Sequence, residues 1–321
     1  MRSARWLGLP ALYVGAQLIG LALAEPFRSE GLATTSNPQS PTAPLFILVV
    51  IVVAPLAILL FARRRGGLEA IRHAVLLGIA ASLYITLFAT FSLLPGSVLL
   101  PPYAVEIVLS PALPLAAMAS AGLYLALLME PQWYVVDLAG FVAGGALIAI
   151  LGISFGILPA LLLLSILMVY DAIAVYRTKH MVSLADAVTE MKLPILMVMP
   201  DSADFDYPHA APLREQRQKP VEERGALFMG LGDVVIPGTL VVSAFVWLPT
   251  APDPLGVGAN LWAAFAVLGG SLVGYAVLMR RVAGGNPQAG LPFLNGGAIV
   301  GYLLAYLLLF RSLTFGLTGG L

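Results

Sequence analysis

Long apolar stretches alternate with shorter polar ones along this chain of 321 residues. Most apolar stretches have about 20 residues with few charges, the length that an α-helix needs to cross the hydrocarbon core of a bilayer. The pattern predicts an all-α polytopic membrane protein with nine transmembrane helices, whose ends are placed to within a few residues. The nine predicted helices are 5–24, 44–62, 72–94, 103–128, 132–152, 157–176, 225–246, 260–279 and 292–310.

The first predicted helix has a second interpretation. Arg2 and Arg5 precede its apolar run, and the small residues at 22–24 lie directly before Glu25, as in a signal peptide and its cleavage site. The run is longer than the apolar core of a usual signal peptide, which favours a retained helix. Both interpretations leave the topology of the later helices unchanged.

The positions of lysine and arginine predict the orientation, because cytoplasmic segments carry an excess of these residues. With the N-terminus in the cytoplasm, only Arg28 and Arg311 fall outside, and the other fifteen of the 17 basic residues fall inside. The N-terminus is therefore predicted to be cytoplasmic and the C-terminus to lie outside.

One long polar segment divides the chain. Residues 177–224 are predicted to form a cytoplasmic, partly mobile loop between an N-terminal six-helix part, 1–176, and a C-terminal three-helix part, 225–321. We expect a single integral membrane domain overall. Within the loop, "LPILMVMP" at 193–200 is a short apolar run bounded by prolines, which suits a strand better than a helix.

Composition supports the membrane class and excludes others. The chain is 60% hydrophobic and 11% charged, whereas a soluble domain carries about a quarter charged residues. The absence of cysteine excludes disulfides, iron–sulfur clusters and thiol nucleophiles. A net charge of zero gives no overall attraction to nucleic acid. No cofactor or metal is predicted. Fourteen arginines against three lysines, without cysteine, are compatible with the cell membrane of a prokaryote.

Four acidic residues fall within predicted helices, and each is a candidate site because an ionisable group inside a membrane is costly unless it is paired or hydrated. Glu106 and Asp137 lie within one and two turns of a helix end, where a side chain can reach the interface. Asp171 and Asp233 lie deeper, about 8 and 12 Å from the cytoplasmic ends of helices six and seven. Because these helices are consecutive and antiparallel, we expect the two carboxylates to face each other.

A facing pair of carboxylates has a definite chemistry. Two such groups about 3 Å apart share one proton and titrate as a unit. The ionised member can deprotonate a water molecule while the protonated member donates to a substrate carbonyl. A structural or proton-relay pair explains the same positions equally well.

The neighbours of Asp233 add a backbone argument. Gly230 and Gly232 have no Cβ, so we expect another backbone to approach helix seven beside the acid. Pro237 has no N–H for the Asp233 carbonyl, so the helix is expected to kink or loosen there. A stretch rich in proline and glycine, 284–297, leads into helix nine at the same depth. Irregular backbone at this depth must be buried in protein or line a hydrated cavity, although a plain turn before a helix is the alternative.

Together these motifs resemble the presenilin and signal peptide peptidase family of GxGD intramembrane aspartyl proteases, with the archaeal presenilin homologues as the most similar branch. The matching residues are Tyr170-Asp171 in helix six, Gly230-Leu231-Gly232-Asp233 in helix seven, and Pro292-Phe293-Leu294 at the start of helix nine. Each motif is common by itself. All three on these helices form a specific combination that covers essentially the whole chain.

The resemblance implies a function and roles for these residues. It implies that Asp171 and Asp233 form the catalytic dyad, that Tyr170 lines the site, and that Pro292–Leu294 shapes the site and substrate access. It also implies transmembrane peptide or protein substrates that are cleaved within lipid, and it leaves the oligomeric state open. The usual third motif is Pro-Ala-Leu, so Phe293 is a departure that we expect to alter the substrate range.

An extended substrate segment is expected to add as a strand to 193–200 or to the stretch preceding Gly225. Other intramembrane proteases are disfavoured, because the sequence has no HExxH motif and no membrane-embedded histidine to pair with a serine. The alternative from another class is a cation channel or ion-coupled transporter that uses the aspartates as an ion or proton site.

Overall fold

The computed structural model describes residues 4–62, 67–92, 112–178, 193–202, 204–210, 215, 225–251, 256–282 and 288–317. In these ranges the chain forms nine α-helices and one antiparallel sheet of two strands. The helices are α1 (Ala4–Ser29), α2 (Leu45–Ala62), α3 (Gly67–Ser92), α4 (Ala112–Met129), α5 (Trp133–Ser154), α6 (Ile157–Ile173), α7 (Leu231–Trp247), α8 (Ala259–Val282) and α9 (Leu291–Phe310). The strands are β1 (Leu196–Pro200) and β2 (Ala226–Gly230).

Seven of these helices, α1, α3, α4, α5, α6, α8 and α9, are long and apolar enough to cross a membrane, where α6 is counted with the helical turn that continues it to Arg177. The chain is therefore a polytopic helical membrane protein, as the hydropathy pattern predicts. The ends of the predicted helices are displaced by a few residues; α1, for example, continues through Pro26 to Ser29. The first part of the predicted fourth helix, with Glu106, lies outside the described residues, as does most of the predicted mobile loop.

The seventh helix begins later than predicted. Residues 226–230 form β2, which pairs with β1 in a register from Leu196 opposite Gly230 to Pro200 opposite Ala226. The strand predicted within 193–200 is thus confirmed, and the start of helix seven at 225 is wrong. A short apolar run is compatible with a helix or a strand. Residues 226–230 form a strand because they pair with β1, which lies far away in the sequence. Asp233 consequently lies in the first turn of α7 rather than about eight residues into a helix.

Two hydrophobic clusters hold the described elements together. The larger cluster joins α1 to α5, α6, α7, α8 and α9, and it encloses Tyr13 and Phe27 completely. The α1 helix is thus part of the larger hydrophobic cluster. The smaller cluster joins α3, α4 and α5 to the sheet through residues such as Leu76, Leu127 and Val198.

Glycines create the closest contact between helices, that of α8 with α9. A Cβ placed on Gly270 would collide with the Gly297 carbonyl, and one on Gly274 would collide with the Phe293 carbonyl. A Cβ on Gly301 would likewise meet the backbone of α8. Such spacing of small residues lets two helices touch backbone to backbone. The pair places the beginning of α9 beside the first turn of α7.

Candidate active site

Asp171 lies near the end of α6, and its carboxylate contacts the beginning of α9. The residue is only 6% exposed. Its Oδ2 accepts the Leu291 N–H at 3.0 Å, and the carboxylate also accepts the Gly290 N–H. The first turn of α9 has no side-chain cap of its own. Asp171 therefore satisfies backbone donors that a helix N-terminus leaves unpaired, from a different element of the fold.

Asp233 is the third residue of α7, and its carboxylate accepts the N–H of Gly230, the residue that caps this helix. This contact is the acidic half of a capping box. A negative charge in the first turn of a helix also interacts favourably with the helix dipole. Both acids thus lie at helix N-termini, Asp233 at that of α7 and Asp171 at that of α9.

Gly290 is the point where the two carboxylates meet. Its N–H donates to Asp171, and a Cβ built on it would lie 3.1 Å from both carboxylate oxygens of Asp233. The two carboxyl groups are close enough to interact electrostatically. Gly290 has ordinary helical angles, φ −78° and ψ −48°, so the glycine provides space beside Asp233 and relieves no backbone strain. The structure thus brings together α6, α7 and the beginning of α9, which is the arrangement that the sequence predicts.

The glycines of the GxGD motif behave differently from the prediction. Among the described residues, a Cβ on Gly232 would meet nothing within 4 Å, and the nearest atom to a Cβ on Gly230 is Oδ2 of Asp233, at 3.4 Å. These two glycines lie at a strand-to-helix junction, and no other described backbone lies against them. The close approach occurs at Gly290. Leu231, between the two glycines, is buried and extends the sheet by donating its N–H to the Ile195 carbonyl at 2.9 Å.

Pro237 lies in the interior of α7, which continues through it to Trp247. Because proline has no N–H, the Asp233 carbonyl has no helical donor four residues further on. The backbone at the acid therefore lacks one helical hydrogen bond within a continuous helix.

The residues of the third motif begin α9. Pro292 lies in the first turn, where its missing N–H costs little. Phe293 is partly buried, and the Arg281 guanidinium lies 5.6 Å from the centre of its ring. Leu294 is fully buried in the larger hydrophobic cluster, and Tyr170 packs against the same cluster with part of its surface. The irregular backbone predicted within 284–297 thus gives way to a regular helix at Leu291.

Two contributors to the site were not predicted, Gly290 and Tyr176. Tyr176 lies in a π-helical turn, Ala174–Thr178, that follows α6. Its hydroxyl donates to Gln288 Oε1 at 3.1 Å and accepts the Ala289 N–H at 3.3 Å. The end of α6 therefore holds the chain before α9 at two points, Asp171 and Tyr176. Gly290 could have been predicted, because a glycine followed by Leu-Pro is a signal for the start of a helix. The sequence around Tyr176 contains no comparable signal.

Asp137, on α5, is enclosed by protein and is 5% exposed. Its Oδ1 accepts the Val198 N–H at 2.7 Å. Bonds from Leu231 to Ile195 and from Asp201 to Gly225 show that odd-numbered residues of β1 point their backbone groups toward β2. Val198 therefore points its N–H to the other side, where Asp137 fixes that edge of the sheet to α5.

Tyr207 packs in the smaller hydrophobic cluster, near the same acid. Burial, together with the Asp137 charge, raises the pKa of the Tyr207 hydroxyl above its usual range. Over the part of the chain that the structure describes, no group of three or more histidine, aspartate or glutamate side chains is placed to hold a metal ion.

Comparison with known proteins covers nearly the whole chain. The sequence profile of the family described as "Signal-peptide peptidase, presenilin aspartyl protease" matches residues 10–311. A presenilin family intramembrane aspartate protease solved in a C222 crystal is 30% identical with a TM-score of 0.60, over 94% of this chain and 98% of that one. One solved in a P2 crystal is 31% identical with a TM-score of 0.61, over 94% and 97%. No curated protein matches.

Proposed function

Since the chain belongs to the signal-peptide peptidase and presenilin family of aspartyl proteases and is thus an intramembrane aspartic endopeptidase, we propose that Asp171 and Asp233 are its two catalytic acids. The observation that carries this assignment is their meeting at Gly290, whose N–H bonds one carboxylate and whose missing side chain leaves space for the other. The beginning of α9 supports the assignment, because the backbone of Gly290 and Leu291 bonds Asp171 beside Asp233.

The chemistry follows from one shared proton. The ionised carboxylate removes a proton from a water molecule as the water oxygen adds to the scissile carbonyl carbon. The protonated carboxylate donates to the carbonyl oxygen, which gives a tetrahedral diol. Transfer of a proton to the amine nitrogen then releases the two products. No metal or cofactor takes part in these steps.

A substrate peptide must be extended before its carbonyl can be attacked, because helical hydrogen bonds occupy that carbonyl. We propose that it adds to β2 and not to β1. On the outer edge of β1, Asp137 occupies the Val198 N–H, and Pro200 has no N–H to offer. No described element pairs with the opposite edge of β2, where Phe228 points its backbone groups, and this strand leads directly to Asp233. A strand added there brings its backbone to the dyad.

The proposed membrane arrangement has all nine helices as spans, the N-terminus in the cytoplasm and the C-terminus outside. The count of basic residues supports the orientation. The larger hydrophobic cluster draws side chains from both 1–176 and 225–321, which supports a single membrane domain around the loop at 177–224. Composition supports the cell membrane of a prokaryote, with lipid and transmembrane proteins as the partners. The family match does not favour the channel or transporter alternative.

Peptide cleavage tests the assignment. The purified full-length protein in detergent is incubated with a synthetic transmembrane peptide, and the products are identified by mass spectrometry. We expect a transition-state-like aspartyl protease inhibitor to block cleavage, and Asp171→Asn and Asp233→Asn each to reduce turnover by at least about 10³-fold. Thermal unfolding in detergent checks that both variants are folded. Normal turnover in either folded variant would show that the two aspartates are not the catalytic pair. Ion flux through the protein in liposomes, without peptide turnover, would favour the channel.

A further inference from the structure

A cluster of buried polar side chains lies between α1 and α8. Tyr13 and Gln17 are one helical turn apart on α1, and Ser271 and Tyr275 are one turn apart on α8. Three of the four are 0% exposed and Tyr275 is 6% exposed. The ring centres of Tyr13 and Tyr275 are 6.0 Å apart, and the Tyr13 hydroxyl lies near both Ser271 and Gln17.

Most polar atoms of this cluster find no protein partner. Within the described ranges, the hydroxyls of Tyr13 and Tyr275 and both amide atoms of Gln17 have no hydrogen bond of good geometry. The Tyr13 hydroxyl comes near enough to Ser271 and Gln17 for weak contacts only, and the Tyr275 hydroxyl has no such neighbour among the described residues. Ser271 is satisfied, because its hydroxyl donates to the Leu268 carbonyl at 2.7 Å. Nearly all buried polar atoms in proteins are hydrogen-bonded either to protein or to ordered water. Four buried polar atoms without a well-formed hydrogen bond, on two facing helices in an apolar core, therefore mark a site for a polar ligand.

The cluster adjoins the proposed dyad. The Asp233 carboxylate lies close enough to the Tyr13 hydroxyl to interact with it electrostatically. Next to Tyr275, Gly274 touches the Phe293 carbonyl at the beginning of α9. The chemistry of the donors suits water, because an amide offers two donors and one acceptor oxygen and each hydroxyl both donates and accepts. A buried water molecule needs two to four such partners.

We propose that Tyr13, Gln17 and Tyr275 hold water inside the membrane domain beside Asp233, and that this water replaces the molecule consumed in each cleavage. The inference rests on the proposed role of Asp233. Hydrolysis of one peptide bond uses one water, whose hydroxyl forms the new carboxyl group and whose remaining hydrogen goes to the new amine. The three side chains act on the water and not on the substrate, so they are positioning residues.

Radiolytic labelling detects the water directly. A short X-ray pulse produces hydroxyl radicals from bound water, and these oxidise adjacent side chains even where bulk solvent does not reach. Tyr302 is the matched control, because it is equally buried and its hydroxyl donates to the Phe315 carbonyl at 2.8 Å. We expect Tyr13 and Tyr275 in the full-length protein to be labelled at least about fivefold more than Tyr302 by mass spectrometry. Labelling no stronger than that of Tyr302 overturns the proposal.

This measurement needs no peptide cleavage and can be repeated in Asp233→Asn, so the water site and the dyad can fail independently. For the functional part, Tyr13→Phe and Gln17→Met are expected to lower kcat about tenfold and to leave KM within about twofold. Tyr302→Phe should leave both constants unchanged. If the cluster holds no water, Tyr13→Phe and Gln17→Met should leave kcat unchanged. They should also raise the unfolding temperature, because each removes buried polar atoms that have no partner.

Discussion

Asp137 and Asp171 are two buried carboxylates with nearly equal exposure, 5% and 6%, and each accepts a backbone N–H from a distant part of the chain. Asp137 bonds the middle of a strand and fixes it to α5. Asp171 bonds the first turn of a helix, at a glycine that leaves room for Asp233. Burial and a backbone partner are therefore common to a structural acid and a proposed catalytic one. The two acids differ because, among the described residues, only Asp171 has a second carboxylate nearby, that of Asp233, with the space at Gly290 between them.

Apart from replacing the two acids themselves, the largest effect is expected from filling that space. In Gly290→Ala, the new methyl group would lie 3.1 Å from both Asp233 carboxylate oxygens, so the carboxylate must shift. A displacement of about 1 Å at a reacting group costs about 100-fold in rate, so the smaller shift needed here should lower the rate of peptide cleavage by about tenfold. Gly232→Ala is the matched control, because its methyl group meets no described atom within 4 Å, and its rate should stay within about twofold. Equal rates in the two variants would show that the space at Gly290 has no role.

Removing the acceptor at the structural acid should act on stability first. Asp137→Leu leaves the buried Val198 N–H without its partner and is expected to cost about 1–3 kcal/mol, measured by thermal unfolding in detergent. Asp137→Asn keeps an acceptor oxygen, so it should restore most of that stability and retain cleavage. If a stable Asp137→Asn protein lost cleavage as completely as Asp171→Asn, Asp137 would have a role in catalysis and not only in stability.

The smallest effect is expected at the second contact between α6 and the chain before α9. Tyr176→Phe removes the hydroxyl that binds Gln288 and Ala289. Because Asp171 still holds Leu291, we expect only about a threefold decrease in kcat, read from peptide cleavage. Tyr134→Phe, at an exposed tyrosine on α5, serves as the control and should not change kcat. A loss as large as that of Gly290→Ala would place Tyr176 in the machinery of the site.

The helices could be predicted because lipid restricts the choice of structure: a long apolar run must satisfy its backbone internally, and a helix does so. The ends were less certain, and residues 226–230 show why. Their sequence suits helix or strand equally well, and only pairing with 196–200, some 30 residues earlier, makes them a strand. The prolines around 193–200 supplied a local signal for β1 that β2 does not have.

The two aspartates were found from sequence because acids are costly inside a membrane. Their surroundings were found only in part, since the contacts that build them join distant residues. Leu291 and Asp171 are 120 residues apart, and Ala289 and Tyr176 are 113 residues apart. Asp137 shows the same limit, because its place near a helix end suggested contact with the interface, whereas its partner is the backbone of Val198 in the loop between α6 and α7.

The glycine contacts between α8 and α9 also restrict how a substrate reaches the dyad. At Gly270, Gly274 and Gly301 the backbones touch, so no lipid chain or peptide helix fits between these two helices unless the contacts separate. The lipid-facing side of the protein is therefore closed between α8 and α9. A transmembrane substrate that diffuses laterally in the bilayer must therefore approach Asp171 and Asp233 from another side of the molecule.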